Sequence, residues 1–487
     1  MKKLLIILLF VSLIYSIFAQ NPPDTLWTET FGGSQSDAAY SVQQTTDGDY
    51  IITGYSESYG AGDRDFWLVK IDENGYEIWN QHYGGIESDF AFSGQQTTDG
   101  GFIIIGYTSS YGVGFDDFWL VKTDENGNEE WNQTYGGYSY EWASSVQQTS
   151  DGGYIISGCT LSYGAGGGNF WLVKTDENGN EQWNQTYGGN EYEWASSVQQ
   201  TTDGGYIIAG WTESYGAGGE DFWLVKTDEN GNEQWNQTFG GNENDGALSV
   251  QTTTDGGYIV AGDTESFGAG GQDFWLVKTD ENGIEEWNQT YGGDEWEWVY
   301  SVQQTTDEGY IIAGSTGTYG AGEHDFWLVK TDEDGNDEWN QTFGGNDNER
   351  AFSVQQTIDE GYIIAGFTYS YGAGASDAWL VLLDSEVRTE NNDITSHCFL
   401  IQNYPNPFNP TTTISFSIQN NSNVELSIYN IKGQKVKTLI SDQLSVGEHS
   451  VVWEGRDDDN LPVGSGIYFY QLKAENFEEI RKMILLK

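Results

Sequence analysis

Apolar and β-branched residues fall in short runs along most of the chain, without helical spacing. From Asp221 the sequence reads DFWLVKTDENGNEQWNQTFGGNENDGALSVQTTTDGGYIVAGDTESFGAGG. Phe222–Thr227 is a continuous apolar, aromatic and β-branched run, and Glu233–Phe239 alternates. Ala247–Thr253 and Tyr258–Thr264 are two more runs of strand length. Turn residues stand between them at Asp228–Gly231, Gly240–Gly241 and Asp255–Gly256. Asn and Gly tolerate positive φ, so an Asn-Gly pair between extended runs predicts a hairpin. The pattern predicts four strands in this stretch and no helix.

The stretch repeats. Trp67, Trp119, Trp171, Trp223, Trp275, Trp327 and Trp379 stand 52 residues apart, and Trp27, Trp79, Trp131, Trp183, Trp235, Trp287 and Trp339 keep the same step. Four strands in a fixed-length unit are the content of a β-propeller blade, and a lone blade leaves its faces uncovered. The fold expected is all-β: a seven-bladed β-propeller over 24–384, with both tryptophan ladders packed between blades rather than serving as ligand platforms. The chain ends point to closure. Trp27 lies in a strand with no FWLVK run before it, and Trp379 in one with no EQWNQT run after it. The expectation is that strand 378–384 pairs with strand 25–31, three N-terminal strands and one C-terminal strand completing the seventh blade. A closed ring has no exposed sheet edge.

Charge narrows the partners. The 487 residues carry a net charge of −56. Between Asp24 and Asp384 there are 8 Lys and Arg against 62 Asp and Glu. Nucleic acid and anionic membrane surfaces are polyanions and suit this region poorly. Residues 1–19 read as a signal peptide: Lys2 and Lys3, an apolar run from Leu4 to Ile17, then Ala19. No later run is long enough to span a membrane. Cys159 and Cys398 are far apart and read as unpaired thiols.

The repeats resemble the seven-bladed propeller repeats of secreted bacterial and archaeal proteins, on WNQTYGG, SVQQT, DGGYIIAG and FWLVKTDENGN over about 24–384. A weaker likeness to quinoprotein-type repeats rests on Asp124, Gly127 and Trp131, with one residue fewer between Asp and Gly; it implies fold rather than cofactor.

The segment after each Gly-Gly pair drifts most between copies. One acid holds register there: Asp37, Asp89, Glu141, Glu193, Asp245, Glu297 and Glu349. Two roles are open to it: a strand-start acid bonding nearby amides, or a rim that collects cations. Aromatics flank three of these acids: Tyr140 and Trp142, Tyr192 and Trp194, Trp296 and Trp298. Further core packing is the plainer role for these aromatics; aromatic faces beside carboxylates also suit sugars, and their absence from other copies keeps a binding spot open, since core residues should recur. Asp124, Asn126 and Asn128 alternate as in calcium loops, but the downstream acid and flanking helices are missing, so a hairpin turn is the plainer reading. Asn132, Asn184, Asn236, Asn288 and Asn340 open Asn-Gln-Thr sequons, read as a by-product of repetition. His82, His324, His397 and His449 do not recur, and no nucleophile elbow, phosphate loop or Asp-box turn stands out.

Composition changes at 385–402, read as a linker. Residues 403–487 then hold six or seven strand-length runs, the pattern of a small β-sandwich. Tyr404-Pro405-Asn406-Pro407-Phe408, Trp453, Gly455, Asp457, Gly464, Gly466, Tyr468 and Lys482–Lys487 resemble the type IX secretion C-terminal sorting domain, itself similar to the immunoglobulin-like module of flagellar hook-capping proteins. That resemblance implies passage across the outer membrane, with the secretion machinery as a partner. The combined expectation is a secreted or surface-bound, non-enzymatic binding protein for an extracellular glycan or protein. A carbohydrate-active propeller enzyme and a structural surface-layer component are the alternatives.

Overall fold

The computed structural model describes residues 22–386, 399–400, 408, 410–418, 421–445, 447–458, 461–474 and 477–485. The expected signal peptide, Cys398, Tyr404–Pro407, most of the 385–402 linker and Lys487 lie outside these residues. The chain divides into two compact units, 1–387 and 388–487. All regular structure among the described residues is β.

The first unit holds seven four-stranded antiparallel sheets among the described residues. In the first, Asp37–Gln44, Tyr50–Ser56, Asp65–Ile71 and Glu77–Tyr83 follow one another as a meander. The next five repeat this order, opening at Asp89, Glu141, Glu193, Asp245 and Glu297. The seventh is composite: Glu349–Gln356, Tyr362–Thr368, Asp377–Leu383 and, at its edge, Thr25–Phe31. Thr25 pairs with Leu383 and Phe31 with Ala378, so the two end strands meet as the sequence predicts.

The expected division of that sheet is corrected. Three of its strands come from the C-terminal end of the repeats and one from the N-terminal end. The reason lies in the turns. DENG and DGG join hydrogen-bonded neighbours, whereas the Gly-Gly pair carries the chain from one sheet to the next. A sheet therefore begins after Gly-Gly, not at FWLVK.

Each opening strand carries a β-bulge, for example between Ala39 and Ser41 or between Val299 and Ser301. Beyond the bulge, glutamine side chains tie neighbouring sheets together. Gln96 N donates to Gln43 Oε1 at 2.7 Å, Gln148 N to Gln95 at 2.9 Å, Gln200 N to Gln147 and Thr252 N to Gln199 at 2.6 Å. The series goes on through Gln251 and Gln303, and Gln44 N donates to Gln355 Oε1 at 2.6 Å, joining seventh sheet to first. These glutamines and the valines beside them line one cavity of about 260 Å³ to which all seven sheets contribute.

Both tryptophan ladders pack between sheets. Phe66 lies 4.5 Å from Trp119, Phe118 4.6 Å from Trp171 and Phe170 4.5 Å from Trp223. Trp131 meets Tyr154 at 5.9 Å, and so on along the second ladder. The tight turn of the following copy sits on that ladder. Gly127 has φ +76°, and a Cβ there would fall 2.8 Å from Trp79. The buried lysines neutralise a fixed set of turn acids: Lys122–Asp99 at 3.0 Å, Lys174–Asp151 at 3.0 Å, Lys226–Asp203 at 2.9 Å, Lys278–Asp255 at 2.8 Å and Lys330–Asp307 at 3.0 Å.

The second unit pairs a three-stranded sheet, Phe399–Leu400, Thr412–Ile418 and Gly447–Trp453, with a four-stranded one, Lys435–Leu444, Ser422–Asn430, Gly466–Ala474 and Phe477–Leu485. Trp453 is fully buried between Phe408 at 5.5 Å and Tyr468 at 5.2 Å, and its Nε1 donates to Arg456 O at 2.8 Å. Tyr468 OH donates to Gly464 O at 2.7 Å. Leu461 N donates to Asp457 Oδ1 at 2.8 Å, so Asp457 closes a turn.

Candidate ligand-binding face

The bulge re-aims one residue per opening strand. The residues it leaves out of the ladder are Tyr40, Phe92, Ser144, Ser196, Leu248, Tyr300 and Phe352, a column that differs from copy to copy. Such bulges are favoured where a side chain must be pointed at a site. Two residues earlier stand Ala38, Phe90, Trp142, Trp194, Gly246, Trp298 and Arg350, which drift as freely.

The structure joins some of the aromatics singled out in the sequence and separates others. Phe115 and Tyr140 stack at 4.6 Å, Tyr140 and Trp142 at 5.3 Å, and Trp142 and Trp194 at 5.4 Å, with interplanar angles of 10°, 20° and 21°. Trp142 Nε1 donates to Asp116 Oδ2 at 2.8 Å, which fixes the ring. Tyr192 is 47% exposed. Trp296, 45% exposed, touches Trp298 at 6.3 Å in a second group. There Trp298 Nε1 donates to Gln272 Oε1 at 2.6 Å, and His324 lies 4.6 Å from the ring. Gly246 stands in the copy between Trp194 and Trp298, and a Cβ there would meet nothing nearer than Trp211 at 3.7 Å.

Sequence reading missed the rest of the second group. Tyr300, Phe352, Tyr40 and Phe92 form a chain of ring contacts at 4.7, 4.2 and 5.3 Å across four neighbouring sheets. Tyr40 and Phe352 are stacked at 10°. Burial pushes the Tyr300 phenol up to about 12. Burial also drives the Asp263 carboxyl well above the ordinary range, against the pull of Val299 N, which donates to Oδ1 at 2.7 Å. The signal was present in the columns flanking each in-register acid. It was hidden because a bulge breaks the two-residue alternation.

The seven in-register acids are buried. Glu141 accepts from Gly137 N at 2.8 Å, Thr160 Oγ1 at 3.0 Å and Ser162 N at 3.1 Å, and Asp37, Asp89, Glu193, Asp245, Glu297 and Glu349 accept from the matching glycine amide and Ser or Thr hydroxyl. Their oxygens thus anchor the sheet-to-sheet crossover. The Asp124 carboxylate accepts from Asn126 N and Asn128 N, both at 2.8 Å, and from Asn128 Nδ2 at 2.9 Å, the geometry of a closed turn. The sequon asparagines are also engaged: Asn132 Oδ1 accepts from Trp119 Nε1 at 3.2 Å while its Nδ2 donates to Glu129 at 2.6 Å. Asp307, Glu338 and Glu386 bring oxygens close enough for a metal, but Lys330 Nζ already lies 3.0 Å from Asp307 and 2.9 Å from Glu338. Cys159 is a buried free thiol, pushed up to about 12 by burial.

Residues 406–477 match the FlgD Ig-like domain family. No curated protein matches the chain. Among solved structures, PorZ of Porphyromonas gingivalis, described as an essential bacterial surface component of the type-IX secretion system, aligns at 12% identity with a TM-score of 0.44. That alignment covers 94% of this chain and 60% of PorZ, so the chain spans about 60% of that protein's length. A Dyadobacter fermentans protein of unknown function aligns at 9% identity and TM-score 0.42, covering 74% of this chain and 99% of its own. A Penicillium chrysogenum alpha-L-arabinanase, solved with arabinobiose, aligns at 13% identity and TM-score 0.40 with the same coverages. No helix among the described residues is long and apolar enough to cross a membrane.

Proposed function

We propose that the first unit is a closed seven-bladed β-propeller, and that it is an exported, non-enzymatic module that binds a carbohydrate at the starts of its opening strands. The pairing of Thr25–Phe31 with Asp377–Leu383 and the glutamine bonds running from sheet to sheet support closure. The Phe115–Tyr140–Trp142–Trp194 stack carries the binding reading. Rings in columns whose residues change from copy to copy offer flat apolar surface beside Asp116. Sugars present C–H faces and hydroxyls together, which such a surface takes by stacking and hydrogen bonding.

On this reading residues 1–19 are a signal peptide, 24–384 the propeller, 385–402 a linker and 403–487 a type IX sorting domain recognised by the secretion machinery. The protein is then secreted or held at the outer surface. The match of 406–477 to an immunoglobulin-like module supports the last assignment.

A glycan array probed with the full chain tests the binding reading. Trp142→Ala and Trp194→Ala are expected to abolish binding while melting within a few degrees of the parent. Melting that collapses with either change would assign these rings to the scaffold instead.

A further inference from the structure

The repeat region has few cations, and most are committed. Of its 8 Lys and Arg, six are the lysines that recur in the FWLVK run: Lys70, Lys122, Lys174, Lys226, Lys278 and Lys330. Each is salt-bridged to its turn aspartate. The two left over are Arg64 and Arg350. Both sit in drifting columns, and the charge of each acts on the same phenol, Tyr40. Arg64 is paired, its Nε 2.8 Å from Glu57. Arg350 has no carboxylate within ion-pair distance among the described residues. Its guanidinium instead lies over the Trp298 ring, 4.5 Å from the centroid, and against the Tyr300 phenol.

An unpaired arginine in a region with 62 acids is unusual on electrostatic grounds. Stacking on Trp298 holds its planar fork in place, so less freedom is lost when an anion is gripped by two N–H groups. Asp263, the acid facing Tyr300, does not serve as its counter-ion: it is held by the Val299 amide, and burial favours its neutral form. His324, beside Trp298, is also kept neutral by burial and by Arg350, and its Nδ1 is buried without a hydrogen-bond partner.

We infer that Arg350, stacked on Trp298 and bordered by Tyr300 and Phe352, is the anion-recognising subsite of this face, and that its ligand is a sugar bearing a single carboxylate. This rests on the carbohydrate reading above and sharpens it. The guanidinium, already covering the Trp298 indole, takes the carboxylate through a two-pronged hydrogen-bonded pair, and the exposed Trp296 ring beside it takes the pyranose face. A polyanionic chain is disfavoured because the surrounding net charge repels each further carboxylate. A single terminal acid feels that repulsion once and the Arg350 contact at close range. Raising salt to about 0.15 M, where the screening length is roughly 8 Å, therefore strengthens capture by removing the distant repulsion while sparing the contact pair.

The test compares two oligosaccharides that differ only in the terminal residue, glucuronate against glucose, with the full chain and its R350Q variant. The wild type is expected to bind the glucuronate-ended sugar at least about tenfold more tightly, the scale of one charge-assisted pair. R350Q is expected to lose that preference while keeping its affinity for the glucose-ended sugar and its melting temperature. Trp296→Ala is expected to weaken both sugars. Equal wild-type affinity for the two, or an undiminished preference in R350Q, would overturn the subsite while leaving carbohydrate binding intact. No binding of either sugar, nor of any other on the array, would overturn the carbohydrate reading itself.

Discussion

Two sets of positions in one repeat follow different rules. The FWLVK tryptophan, the buried lysine and the cavity-lining glutamine recur because each meets the same kind of partner: Trp223 packs on Phe170 of the preceding sheet, Lys226 pairs with Asp203 of its own sheet, and Gln199 accepts from an amide of the next. The bulge column and the column two places before it change between copies, and so do the neighbours they meet. The contrast teaches that fixed length and fixed contacts in the frame release a small group of side chains for change. Those side chains include Arg350, one of the two cations that are not part of the frame.

The largest test of this contrast is a matched pair of truncations. Trp223→Ala removes a 2%-exposed ring packed on Phe170 and is expected to cost about 3–5 kcal/mol, read from denaturant melts. Trp142→Ala, half-buried in the drifting column, is expected to cost about 1 kcal/mol. Equal costs would erase the distinction.

Acid separates the two carboxylate classes next. Burial works against ionised Asp203, but the Thr201 hydroxyl and Lys226 hold it at about 2; Lys278 and Thr253 do the same for Asp255. Their folded values lie below the usual ~3.9, so their stabilisation is complete above that value and is lost as pH falls towards about 2. Asp117 and Asp273 behave oppositely. Burial, opposed by one amide bond and reinforced by Glu141 or Glu297, pushes each up to about 6. The folded state then binds the proton more tightly than the unfolded chain, so stability rises as pH falls from about 7 to about 4. The melting temperature is expected to peak near pH 4–5. The copy with Asn169 already has a neutral group at this position. Asp117→Asn is therefore expected to raise the pH 7 midpoint and flatten the slope between pH 4 and 7, as followed by calorimetry.

Smaller effects come from places where the frame departs from itself. Glu308 and Glu360 adopt φ of 71° and 67° where other copies use glycine. Glu308→Gly is expected to stabilise by about 0.5–1 kcal/mol, left-handed strain being relieved at some cost in chain entropy. Thr252 replaces the second glutamine of its strand, whose Oε1 elsewhere accepts an amide of the preceding sheet, as Gln148 does from Thr98 N at 2.9 Å. Thr252→Gln is expected to add about 0.5–1 kcal/mol, the net worth of one hydrogen bond. Chemical denaturation resolves both changes.

Strands, turns and repeat length were legible because they depend on local alternation and on Asn-Gly chemistry. The pairing of the end strands followed from counting FWLVK and EQWNQT runs. The division of the composite sheet did not, because hairpin and crossover look alike until hydrogen bonds are drawn. Trp142 and Trp194 stood out as aromatics missing from other copies. Phe115 did not, since it sits in a Gly-rich loop, and Arg350 was one letter in a variable stretch whose meaning depends on Trp298, 52 residues earlier.

The composite sheet has a mechanical consequence. Asp384 N donates to Asp24 O at 2.9 Å, so the repeat region begins and ends at adjacent points. Tension between its two ends would act first on the single pairing of Thr25–Phe31 with Asp377–Leu383. The other sheets are each drawn from one continuous stretch of chain and would feel no pull until that seam parted. A disulfide across the seam would convert the region into a loop that resists stretching, and a new chain start at any Gly-Gly crossover would move the weak point to a sheet of choice.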